Sequence, residues 1–296
     1  MSLASRQVGL VAEYTGRFAL RSGTGLVFVL ASLVTGLLLA QLILGPVEFT
    51  QEGIEGADEG EAVEVILETA RPVVSWIVGR ASGDESVGER WTAYLLDDRP
   101  ALLSGILLLT MFAWPFLVAL GAGNPFSGDV GSRRIRYLLL RVPRTRLFFG
   151  RLAGTLAFVL ATLVVIVAIV TLYLGFNIGI YGWGELLGWA AWGVLAMTLM
   201  TLPYVALFGW ISSAVDTPVG SFTLCLAVVG GVPLVALLGG NAWEPLSWAR
   251  YLSPWGVQHQ LMHYDVLHVV GAAAACLGYT AAFVFLGHRH FSRRDL

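Results

Sequence analysis

Three groups of residues in this chain have types and spacing that could do chemistry. The stretch "HQLMHYDVLH" sets His259 and His263 four apart, with Asp265 and His268 close behind. On a helix that spacing brings two imidazoles to one face, where they can hold a metal ion. The glutamate that such a pair needs for hydrolytic work is replaced by Gln260, so the histidines read more simply as those of an amphipathic helix near a bilayer. Asp97 and Asp98 form the second group. Adjacent residues on a helix or strand point apart, which makes them a poor acid–base pair and a natural loop end. The third is "RRIRYLLLRVPRTR", Arg133 to Arg146, with six arginines in fourteen residues around a block of large apolar side chains. It can fix the orientation of a membrane protein, or it can be a surface that another protein grips. No G-x-S-x-G elbow or other nucleophile arrangement is present.

The elements that must position these groups follow from composition. Of 296 residues 56% are hydrophobic and 13% are charged, more apolar surface than a soluble domain can hide. Six apolar runs are long enough to cross a bilayer, which takes about 20 residues each. They are Leu26–Leu44, Ala101–Leu120, Leu152–Gly175, Leu186–Ser212, Val219–Leu238 and Val269–Leu286. The first is too long and begins too late for a cleaved signal peptide, so it reads as a retained anchor. The expected fold is an all-α polytopic membrane protein with six transmembrane helices in one domain, 1–296.

With both termini on one side, thirteen arginines fall on the N-terminal side and five on the other (Arg71, Arg80, Arg90, Arg99 and Arg250). The positive-inside rule then puts both termini in the cytoplasm. Residues 1–25 read as a cytoplasmic interfacial helix: Val8, Val11, Thr15 and Phe18 share a face, and Glu13 precedes Arg17 by four. The 46–100 loop lies outside. Its middle has Val63, Ile66, Leu67, Ala70, Val74 and Ile77 at helical spacing, with a break or kink expected at Pro72.

The spans contain no Asp, Glu, Arg or Lys, although ion-coupled carriers place an ionisable group at membrane depth. All eighteen basic residues are arginine, so there is no lysine for a phosphate-binding P-loop. No coupling ion and no internal ATPase are therefore expected. A net charge of −2 gives no sign of nucleic-acid binding. Cys225 and Cys276 lie inside apolar runs and read as helix-packing residues. Pro115, Pro203 and Pro233 are expected to kink three spans, and Gly271, Ala275 and Gly278 give the last one a small-residue face.

In its wider frame, "NPFSGDVGSRRIRYLLLRVPRTRLFFGRLAGTLAF" resembles the segment between the second and third spans of ABC-2 type transporter permeases. Asp129, Arg133 to Arg136, the leucine-rich Tyr137 to Leu140, Arg141-Val142-Pro143-Arg144 and Gly150-Arg151-Leu152 take the family's places in order. The six-span plan, "YLSPWGVQ" from Tyr251 and the "HFSRRDL" tail add to it, and the long outer loop is similar to the branch that includes the nitrous-oxide-reductase maturation permease. Arginine stands at 151 where many relatives have lysine. The resemblance implies a permease subunit, most commonly an exporter, that binds no cofactor itself. It would pair with itself or a similar permease and recruit separate ATPase subunits that bind ATP and magnesium. It implies that the cytoplasmic loop 122–151 carries a coupling helix, with Asp129, Arg133, Arg134, Arg136, Tyr137 and Leu140 docking the ATPase. It also implies that re-entrant or interfacial helices in 241–266 close the pathway on the outside. Two other readings stand beside it: an intramembrane or membrane-surface enzyme using His259 and His263 or Asp97 and Asp98, and an ATP-independent scaffold or channel.

Overall fold

The computed structural model describes residues 3–53, 59–82, 85–242 and 244–294. In chain order the helices are α1 (Leu3–Arg21), α2 (Gly23–Gly53), α3 (Glu59–Ser82), α4 (Glu85–Leu96), α5 (Ala101–Ala122), α6 (Ser127–Gly131), α7 (Arg134–Leu139), α8 (Arg144–Asn177), α9 (Trp183–Ala214), α10 (Pro218–Ala242), α11 (Trp255–Gln258) and α12 (Val266–Arg293). Short 3₁₀ helices run over Glu244–Leu252 and His259–Met262, and no strand occurs among the described residues. Six helices, α2, α5, α8, α9, α10 and α12, are long and apolar enough to cross a membrane, as expected from the apolar runs. Of the expected segments, 54–58 and 83–84 in the 46–100 loop and 243 in the 241–266 segment lie outside the described residues, as do the side chains of Ile66, Ile77 and Arg80.

The core forms where α5 and α9 meet. Leu103, Met111, Trp114 and Val118 of α5 are fully buried, as are Met197, Met200 and Phe208 of α9, and α8 adds Val159 and Leu163. The indole Nε1 of Trp114 donates to Thr201 Oγ1 at 2.8 Å, and that hydroxyl donates to the Met197 carbonyl at 2.6 Å, so the polar groups at this depth are satisfied internally. By contrast, α12 leaves Val266, Leu267, Val270, Leu277 and Phe285 exposed, as suits a helix facing lipid.

Contacts sort the chain ends and loops into two groups, one at each end of the bundle. At one end Arg144 Nη1 donates to the carbonyls of Ser292 and Arg294 at 3.0 and 2.7 Å, Arg294 pairs with Asp216, and Arg146 bonds Gln7. At the other, α4 packs on the 3₁₀ turn before α12: Trp91 is buried and its Nε1 donates to the Met262 carbonyl at 2.9 Å. Residues 244–265 fold back into the bundle, because fully buried Gln258 accepts from the Tyr204 hydroxyl at 2.8 Å and reaches the Met111 carbonyl, halfway along α5. The Tyr279 hydroxyl also donates to the Tyr251 carbonyl.

Two local expectations change. Pro72 does not break α3, which runs unbroken from Glu59 to Ser82. An internal proline removes one hydrogen bond, and Pro72 is exposed, where water can serve the orphaned carbonyl. The α1 helix is amphipathic and carries the Glu13–Arg17 pair at 2.6 Å, yet its apolar residues divide. Val8, Val11 and Thr15 are half-buried while Phe18 is exposed and stacks on Tyr14. The reason is a close helix contact: a Cβ on Gly150 would lie 2.6 Å from Val11 Cβ, and one on Gly154 would strike the Ala12 carbonyl and come within 2.8 Å of Thr15. Glycines four apart on α8 let α1 seat against it, which turns Phe18 outward.

Candidate functional site

The arginine-rich end is built from the loop between α5 and α8. Chain direction changes at Asn124-Pro125, and the amides of Phe126 and Ser127 both donate to Ser212 Oγ at 3.0 Å, pinning the loop to the end of α9. The expected single helix from Asp129 to Leu140 is two short ones. After α6 the Ser132 hydroxyl turns back to the Gly128 carbonyl at 2.7 Å, and Arg133 takes a left-handed conformation, φ 57°, which an arginine rarely adopts. Helix α7 then starts afresh, and Pro143, which pre-sets its own φ, leads into α8.

A clamp centred on Arg151 holds this loop. Only 7% exposed, Arg151 pairs with the Asp129 carboxylate and donates to the Pro125 carbonyl at 2.6 Å, with its guanidinium 5.9 Å from the Phe126 ring centre. Phe126 stacks on Phe148 at 5.3 Å and meets Phe291 at 5.2 Å. Ile135, 1% exposed, enters the same cluster, with Leu138 and Leu139 packed around it. With those three turned inward, Tyr137 and Leu140 face outward at 75% and 83% exposure.

Of the residues expected to dock a partner, Arg133, Arg134, Arg136, Tyr137 and Leu140 therefore form one exposed group. Asp129 sits apart, its carboxylate held by Arg151. A groove of about 490 Å³ adjoins the group between α1 and α7, walled by Tyr14, Phe18, Arg134 and Tyr137 with Asp129 and Arg151 in its floor. Sequence reasoning placed Arg151 only as a match to a family pattern and missed it as the residue that holds the loop. Its signal was a lone cation at the mouth of an apolar run, which must find a partner when the run is buried.

The other candidates fall at the opposite end. His259 and His263 do not share a helical face: His259 opens a 3₁₀ turn and His263 ends it in extended backbone, φ −72° and ψ 150°. Their rings lie 6.0 and 4.7 Å from that of Trp91, and no group of metal-ligating side chains gathers among the described residues. His263 Nδ1 accepts from the Asp265 amide at 2.9 Å, and its ring stacks on Tyr264 and His268, each at 4.3 Å. Burial, with His268 beside it, holds the His263 imidazole below its ordinary pKa. Asp265 caps α12 by accepting from the Leu267 amide at 2.9 Å, and that bond, aided by His268, holds its carboxyl below the usual range. Asp97 is gripped by Arg71 through bonds of 2.6 and 3.2 Å, which raises the guanidinium's pKa, while Asp98 is exposed. Asp97 and Asp265 are thus engaged in an ion pair and a helix cap of the fold.

The fold and the site together define a class: an all-helical chain with six helices fit to span a membrane, carrying at one end a clamped loop with an exposed basic and aromatic face. No protein-family model matches the chain, and no curated protein matches it.

Proposed function

We propose that the chain is the membrane-spanning permease subunit of an ABC transporter, an exporter by preference, that couples ATP hydrolysis in separate nucleotide-binding subunits to movement of a substrate. The observation that carries this reading is α7. Its Ile135 is buried in the phenylalanine cluster beside the loop that Arg151 clamps, and its outward Tyr137 and Leu140 are 75% and 83% exposed. A rigid helix showing an aromatic and an aliphatic side chain beside three arginines suits an acidic, grooved protein surface. The sequence resemblance supports the same helix as the coupling element. In this reading the chain sits in the cell membrane with both termini, α1 and the α6–α7 loop in the cytoplasm, where thirteen of eighteen arginines belong by the positive-inside rule. The re-entrant segment 244–265 closes the outer side, and a second copy or a similar permease completes the transporter. The chain itself is no enzyme and binds no cofactor, since ATP and magnesium belong to the partner.

The test is reconstitution. Purified alone in lipid nanodiscs, the chain should turn over no ATP; with its cognate nucleotide-binding subunit it should form a stable complex that does. ATP turnover by the isolated chain overturns the proposal.

A further inference from the structure

At the end of the bundle opposite α7, a cavity of about 460 Å³ opens between the end of α4, the first turns of α9 and the start of α12. Its walls combine three features. Arg99 sits over the rings of Tyr94 and Trp189, 5.0 and 5.1 Å from their centres, and makes no ion pair among the described residues. Trp189 is 5% exposed, yet its buried indole Nε1 finds no acceptor among the described residues. A buried donor without an acceptor carries a desolvation penalty, which an acceptor brought within its reach would relieve. Finally, Gly184 and Gly188 line the cavity four apart on α9, and a Cβ at either would meet nothing within 4 Å. The space is left open by the absence of two side chains.

Both groups are donors, an exposed guanidinium fork and an indole N–H, so a ligand that offers anionic oxygens suits them. A phosphate matches the fork better than any other common group. Glu185 also lines the cavity, which favours an ammonium next to the phosphate. The apolar part of the ligand is set by what lies alongside. Trp192, Val266 and Val269 form the cavity's other wall, and beyond it Leu195 of α9 and Val270 of α12 are exposed on helices long enough to span a membrane. An acyl chain can lie on them. We infer that this cavity is a binding site for the phosphodiester headgroup of a phospholipid, a zwitterionic phosphoethanolamine in preference to a purely anionic one. This site is independent of the transporter reading: it rests on residues about a helix length away from α7.

Native mass spectrometry of the detergent-solubilised full chain tests it, with dioctanoyl phosphatidylethanolamine, dioctanoylglycerol and inorganic phosphate as probes. One phosphatidylethanolamine should bind, at least tenfold more tightly than dioctanoylglycerol, which lacks the phosphate. Gly188→Leu should fill the open space, Trp189→Phe should remove the indole N–H, and Arg99→Gln should remove the charged guanidinium fork. Every one of them should weaken the lipid at least tenfold, while the variants elute and melt like the parent chain. Equal binding of the two lipids, or unchanged phosphatidylethanolamine binding in all three variants, overturns the site in favour of lipid that merely coats the spans. Inorganic phosphate that binds as tightly as the lipid, and is lost in the same variants, overturns the lipid assignment and makes the ligand a soluble phosphate ester.

Discussion

Within one short helix the structure separates buried residues that hold the fold from exposed residues that a partner could cover, and the two classes should respond oppositely to substitution. An aromatic side chain covers about 150–250 Å² when buried. Tyr137 has 75% of its surface free. On the order of 100 Å² is then left for a partner to cover, worth ~2.5 kcal/mol at ~25 cal/mol per Å². Fixing the side chain takes back about 0.5–1.5 kcal/mol, leaving about 1–2 kcal/mol, an effect on affinity of roughly tenfold. Tyr137→Ala and Leu140→Asp should therefore each weaken binding of the ATPase subunit by roughly tenfold in biolayer interferometry on nanodisc-held protein, with the thermal midpoint unchanged. Ile135, 1% exposed, should behave the other way. Ile135→Ala creates a cavity in the Phe126–Phe148–Phe291 cluster and should cost about 2–5 kcal/mol of stability. Arg146, engaged with Gln7 away from the exposed face, should lose little affinity on change to alanine. Full partner affinity in both Tyr137→Ala and Leu140→Asp would refute the docking argument and leave the arginine stretch as a topological marker.

Three further outcomes are expected. Arg151→Met strands the Asp129 carboxylate, which is 25% exposed, so the loss should be ~2 kcal/mol, below the 3–5 of a fully buried pair; Asp129→Asn in the same chain should restore much of it, and strictly additive losses in thermal melts would show that the pair is not coupled. His263 is held neutral by burial, below its ordinary pKa of 6.5. Its contribution to stability is thus whole above about pH 6.5 and declines as pH falls from there through the folded value. The groups facing it are Trp91, Tyr264, His268 and Asp265. The fall in melting temperature between pH 7 and pH 5 should shrink in His263→Gln, and an unchanged slope would count against it. For orientation, in a chain lacking Cys225 and Cys276, a cysteine at Glu59 should react with impermeant maleimide on intact cells and one at Ser132 should not; the reverse labelling inverts the topology.

The spans were legible because twenty-residue runs without an ionisable group have one stable setting, the helix with all its backbone bonds internal. The order of the loops at the two ends followed from counting spans. The inner construction of α7 was not legible: Ile135, Tyr137, Leu138, Leu139 and Leu140 are all large and apolar, and only the pocket made by Phe126, Phe148 and Phe291 decides which turn inward. The break at Arg133 was hidden for a related reason, since nothing in an arginine signals a left-handed backbone. The metal option set aside for the paired histidines rested on a spacing that presumes a continuous helix, where the chain instead makes a 3₁₀ turn and straightens. Arg144, Arg151 and Arg294 looked like a uniform basic edge. In the fold they are tied to carbonyls and carboxylates from distant parts of the chain, contacts that local pattern does not carry.

The central claim is that α7 is where an ATPase subunit docks. Replacing Tyr137 with photoreactive p-benzoylphenylalanine and irradiating intact cells measures directly what lies against it. The expected result is a single major adduct with a soluble nucleotide-binding subunit, strongly reduced when Leu140→Asp is added. If Tyr137 captures only lipid, or nothing, in cells where the chain is inserted and stable, α7 docks no ATPase and the transporter reading fails.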